Sequence, residues 1–93
     1  MKHFKAKVDA NQPSIVEHLR MIPGYSVKPV HQVKGFCDIV VGYKGLNLLF
    51  EIKVDHKKKL TKDELEFHSS WTGQIDVVCS VEEIVDIFNA RLK

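Results

Sequence analysis

Near the start of the chain, Ile15, Val16, Leu19 and Ile22 recur at helical spacing and mark one apolar face. Pro13 suits the first turn of that helix, where its missing N–H costs nothing, and Pro23-Gly24 stops it. The period then changes. Residues 25–33 alternate weakly, which predicts a strand, and Pro29 places it at a sheet edge because proline cannot donate to a ladder. Residues 36–41 and 46–54 are dense in β-branched and bulky apolar side chains on either side of Gly42-Tyr43-Lys44-Gly45, so they form an antiparallel hairpin.

Thr61 and Glu64 have capping-box spacing and open a second helix that runs to about Trp71. Leu65 and either Phe67 or His68 turn inward from it, and Gly73 ends it. Residues 74–79 read as a short strand. Ser80 and Glu83 make a second capping box, and Val81, Ile84, Val85, Phe88 and Leu92 form the apolar stripe of a last helix. The order is α-β-β-β-α-β-α, an α/β fold with a mixed sheet flanked by helices, in which the strand after the middle helix returns beside the hairpin by a right-handed crossover. No repeat or linker interrupts the pattern, so residues 1–93 read as a single domain.

Composition narrows the classes. A chain of 93 residues, 44% apolar and 28% charged, is an ordinary globular domain with one core. It has little room for an enclosed cavity, so a large substrate binds across a surface or a dimer groove. Fourteen basic and 12 acidic residues leave a net charge of +2, too balanced to argue for a polyanionic partner. The distribution says more: Lys57, Lys58, Lys59 and Lys62 crowd with His56 just beyond Lys53, a run that can neutralise phosphates without reading bases. Taken alone, that run reads more simply as a solvated charged loop.

Cys37 and Cys79 lie far apart among apolar residues, as reduced core cysteines do, and no C-x-x-C spacing indicates a zinc site. The opening MKHFKAKVDANQ has no secretory apolar stretch, and no segment approaches the roughly 20 apolar residues of a membrane span. A cytoplasmic protein with no membrane partner is the expectation.

The hairpin carries the chemistry. If Lys44-Gly45 is a two-residue loop, Tyr43 pairs with Leu46, and counting back along both strands sets Asp38 opposite Glu51. Opposed residues share a face at roughly 4.5 to 5.5 Å between Cα atoms, close enough for two carboxylates to hold one small cation. Lys53, two residues past Glu51, points to the same face. Two anions held this close repel each other, and a divalent cation relieves that repulsion; the Ile52 carbonyl can add an oxygen ligand. Lys53 beside it can orient water or stabilise charge building on a phosphate. The competing reading is a cross-strand ion pair of Lys53 with Asp38 or Glu51.

Gly35-Phe36-Cys37-Asp38, the hairpin, and Glu51-Ile52-Lys53 resemble the nuclease superfamily named for its PD and (D/E)xK motifs. Asp9-Ala10-Asn11-Gln12, Leu60-Thr61, Phe67-His68 and Trp71-x-Gly73 are similar to the small stand-alone VRR-NUC-like proteins of phages and prophages, and the likeness covers nearly the whole chain. The resemblance implies a restriction-endonuclease-like core, Mg²⁺ or Mn²⁺, hydrolysis of DNA phosphodiesters, and homodimers that act on branched DNA such as Holliday junctions.

It also implies a further ligand from the first helix. Among Asp9, Gln12 and Glu17, the helical period puts Gln12 inward and Glu17 outward, while a capping role near Pro13 is the other reading of Gln12. The chain departs from the family pattern at Cys37, where proline is usual, and at Glu64, where glutamine is common, which puts a water-positioning role for Glu64 in doubt.

His68 and Trp71 read first as sheet-packing residues, and His31 has no assignment. Sites expected from residues and resemblance together are Asp38, Glu51 and Lys53 for catalysis, and Asp38, Glu51, the Ile52 carbonyl and Gln12 for the metal. Lys57, Lys58, Lys59 and Lys62 are expected on the nucleic acid. A non-cleaving nucleic-acid-binding module, an RNA-cleaving enzyme and a nuclease subunit that needs a partner stay open as alternatives.

Overall fold

A computed structural model describes residues 8–93; the polar opening, residues 1–7, lies outside the described part. Seven elements follow in the expected order: α1 (Gln12–Met21), β1 (Ser26–Pro29), β2 (Ile39–Tyr43), β3 (Leu46–Ile52), α2 (Lys62–Ser70), β4 (Asp76–Val78) and α3 (Val81–Arg91). The sheet runs β1-β2-β3-β4. The first three strands are antiparallel, and β4 lies parallel to β3, so the connection through α2 makes the sheet mixed.

The hairpin register is the expected one, with Tyr43 opposite Leu46 and Ile39 opposite Phe50. Its loop works because Lys44 and Gly45 both take positive φ, 50° and 80°, the hand a two-residue hairpin turn demands. β1 is an edge strand, as Pro29 requires, but shorter than expected because beyond it Val30 donates to the Asp38 carbonyl at 2.8 Å and the chain turns. Likewise β2 begins only at Ile39, and β3 ends at Ile52, after which the Val54 N–H goes to Asp9 Oδ2 at 2.9 Å. Gln74 stands outside the short β4, yet its side-chain amide closes two 2.6 Å bonds with the Leu49 backbone and continues the pairing in place of main chain.

One face of the sheet holds the core. Ile39, Val41, Leu48, Phe50 and Ile52 pack with Ile15, Val16 and Leu19 of α1 and with Val81, Ile84 and Phe88 of α3. The other face is covered in part by α2, from which only Phe67 is buried, packed edge-on against Phe36. Leu65, expected inward, is 56% exposed, and Leu92 ends beyond α3 and is also exposed. The α2 capping box is complete at Thr61 and Glu64. At α3 the box is shifted by one residue: Ser80 Oγ accepts from Glu83 N, while the Glu83 carboxylate reaches back to Cys79 N. Among the described residues, no helix is long and apolar enough to cross a membrane.

Candidate metal centre and basic loop

Asp38 owes its position to a bend. Its N–H donates to the Phe50 carbonyl on β3 at 3.1 Å, while its own carbonyl accepts from Val30 on the β1 side. A residue squarely opposite Glu51 in the ladder would turn its N–H away from β3. Asp38 therefore sits just off the ladder, where its Oδ2 accepts the Ile52 N–H at 2.7 Å. That bond also orients Ile52: N–H and C=O of one strand residue point the same way, so the Ile52 carbonyl turns to the Asp38 side.

Glu51 is 2% exposed, and its Oε1 has no hydrogen-bond partner among the described residues. Burial first, then the neighbouring carboxylates of Asp38 and Glu64, push its pKa well above the ordinary range. His68 Nε2, also buried and unpartnered, lies 3.9 Å from that oxygen. Burial lowers the His68 pKa, so this is a neutral ring beside a carboxyl rather than an ion pair.

Lys53 is as buried as Glu51, and the cross-strand ion pair with Asp38 or Glu51 that competed with the metal reading does not form. Its ammonium donates instead to Glu64 Oε1 at 2.6 Å, and the same oxygen accepts the Thr61 N–H of the capping box at 2.8 Å. Burial works against the Lys53 charge, but the hydrogen bond and charge of Glu64, with Asp9 and Glu51 adding, more than offset it and raise the pKa. Glu64 is lowered in turn: burial opposes its charge, and the bonds from Lys53 and Thr61 outweigh that. The capping-box spacing pointed to Glu64 as a helix cap; no spacing on the strands pointed to it as the partner of Lys53.

Gln12 is buried on the inward side of α1 as periodicity required, while Glu17 is exposed. It does not cap: Asn11 is the N-cap residue, without a side-chain capping bond. Gln12 Nε2 meets His31 Nδ1 at 2.9 Å, its Oε1 has no partner among the described residues, and no hydrogen bond joins it to Asp38 or Glu51. Asn11 instead ties the ends of β3 and β4, donating to the carbonyls of Lys53 (3.0 Å) and Cys79 (3.1 Å).

The basic loop divides. Lys58 and Lys59 line a small cleft with Lys53, Asp9, Thr61 and Glu64, and Lys58 Nζ lies 3.5 Å from Asp9 Oδ2. Lys57 and Lys62 are exposed outside that cleft. Trp71 is 42% exposed and rests on Phe67 and Phe36. Cys37 is fully buried, its thiol pushed up to about 12 first by desolvation and further by Glu51 and Asp38, so it is inert packing.

The arrangement fits a hard divalent cation. Two carboxylates and a carbonyl could supply oxygen ligands, a buried carboxylate oxygen stands without a partner among the described residues, and the acids burden one another in a way that positive charge would relieve. No family model matches the chain, and neither a curated protein nor a solved structure matches it.

Proposed function

We propose that this chain is a metal-dependent endonuclease hydrolysing DNA phosphodiester bonds, with a restriction-endonuclease-like core of the VRR-NUC kind. The observation that carries the reading is the burial of Asp38, Glu51 and Lys53 together on the sheet face away from the core, with Glu51 Oε1 unpartnered among the described residues. An apolar face would stabilise the fold better than two buried acids, so the acids point to a ligand.

In this reading Asp38, Glu51 and the Ile52 carbonyl hold Mg²⁺ or Mn²⁺. When bound, such an ion stabilises charge on a phosphoryl oxygen and makes water a stronger nucleophile at neutral pH. The Ile52 N–H keeps the Asp38 carboxylate in place, and Glu64 keeps the Lys53 side chain extended towards the site, where its ammonium faces the charge that builds on the phosphate. Lys58 and Lys59, with Lys57 and Lys62 further out, neutralise flanking phosphates without reading sequence. A homodimer sets two such centres at a fixed separation, which suits branched DNA such as a four-way junction.

The test is cleavage of labelled four-way junction, flap, duplex and single-stranded DNA with Mg²⁺, Mn²⁺ or EDTA. Metal-dependent cutting is expected in the wild type, falling by about 10² or more in Glu51→Ala and Lys53→Ala. A wild type that binds DNA but leaves every substrate intact with either metal sinks the enzyme reading. The second reading, a binding module that does not cleave, draws on the Lys53–Glu64 pair, which gives the lysine a structural partner. It predicts DNA affinity unchanged in Asp38→Asn.

A further inference from the structure

Where β4 runs into α3, a second group of ligand-bearing side chains meets. His56, Cys79 and Glu83 each bring one donor atom, and these atoms all lie within 4.8 Å of one another. They come from two segments, which is why no motif spacing in the sequence marks them. The Glu83 carboxylate is held from behind: Oε1 accepts the Cys79 N–H at 2.7 Å, with the Ser80 hydroxyl at 3.5 Å. Oε2 is thereby turned towards His56, whose Nε2 lies 2.5 Å away. Helix capping accounts for the first oxygen and the contact with His56 for the second, but neither accounts for the free thiol of Cys79 at the same spot.

The donors decide the ion. A thiolate, an imidazole and one carboxylate form a set that suits Zn²⁺ and serves Mg²⁺ poorly, whereas the centre at Asp38 and Glu51 offers oxygen ligands. The backbone bond that fixes the Glu83 carboxylate is the kind of outer contact that orients a metal ligand.

We infer that His56, Cys79 and Glu83 form a Zn²⁺ site with three protein ligands and a fourth position for solvent. On binding, His56 ligates through Nε2 as the neutral ring, and the Cys79 thiol proton leaves to solvent as the S–Zn bond forms. His56 opens the loop of Lys57, Lys58 and Lys59, whose first turn Asp55 Oδ1 fastens by accepting from Lys57 N and Lys58 N. The ion therefore ties the basic loop to the start of α3.

The experiment titrates the full, untagged chain under reducing conditions with Co²⁺ as a visible probe and then displaces it with Zn²⁺. One equivalent of Co²⁺ is expected to give tetrahedral ligand-field bands and a thiolate-to-cobalt charge-transfer band that Zn²⁺ abolishes. Cys79→Ser is expected to remove the charge-transfer band, and His56→Ala, at an exposed position, to weaken Zn²⁺ binding at least about tenfold with unchanged circular dichroism. Glu51→Gln is expected to leave both signals intact, which separates this site from the proposed nuclease centre. Absence of the charge-transfer band in the wild type, or its survival in Cys79→Ser, overturns the site.

Discussion

The β2–β3 hairpin has one apolar face and one that carries acids. On the first, Ile39, Val41, Leu48, Phe50 and Ile52 are buried among side chains of α1 and α3 and need no partner beyond contact. On the second, Asp38, Glu51 and, just past the strand, Lys53 are buried as well: Asp38 depends on the Ile52 N–H and Lys53 on Glu64 Oε1, while Glu51 Oε1 has no partner among the described residues. Burial on the first face stabilises in proportion to area, while burial on the second raises the free energy of any charge left uncompensated. The metal proposed above would offset that cost.

Removing apolar volume tests the first face most severely. Phe50→Ala, at a fully buried ring, is expected to cost about 3–5 kcal/mol in denaturant unfolding, enough to threaten folding of a chain this size. The same measurement on the second face should give the opposite sign. Glu51 has a folded pKa raised above its unfolded value, so between the two the folded state holds more protons and stability falls as pH rises through the window.

Without divalent metal, Glu51→Gln is therefore expected to be more stable than wild type above pH 7, the gap widening by up to about 1.4 kcal/mol per pH unit. Keeping to pH 7–9 avoids His68, whose lowered pKa removes stability only as pH falls through about 6.5. Mg²⁺ or Mn²⁺ should raise the melting temperature of the wild type at pH 8 and leave Glu51→Gln unmoved. A less stable Glu51→Gln in EDTA would mean that the acid is structural.

The smallest effect falls on the support of the second face. Thr61→Ala removes the hydroxyl that accepts the Glu64 N–H and should cost about 1 kcal/mol of stability. Because Glu64 also holds Lys53, catalysis should drop with little change in substrate affinity. Equal wild-type and variant rates would show that the Lys53–Glu64 contact does not position the lysine.

Much of this was legible locally. The α1 stripe, the Lys44-Gly45 turn, the hairpin register and the Thr61–Glu64 box each follow from neighbours within a few residues, where periodicity, turn handedness and capping act directly. Burial of Gln12 and exposure of Glu17 followed from the same helical period. The limits appeared where a distant segment competes for a backbone or side-chain group. Asp38 was expected squarely opposite Glu51, but Val30 and Phe50 take its carbonyl and N–H and bend it off the ladder. Lys53 was expected beside a metal, with an acid of its own hairpin as the competing partner, and its ion-pair partner is Glu64 on α2.

By itself, then, the sequence determined element order, hairpin register and the presence of two acids and a lysine on one side of two adjacent strands. Those are short-range consequences of backbone stereochemistry and of alternation along a strand. The tertiary structure alone decided which acid meets Lys53, that Gln12 meets His31, and that His56, Cys79 and Glu83 converge. Such pairings depend on how α2 and the loop after β3 settle on the sheet, and side-chain spacing along the chain carries no record of that packing.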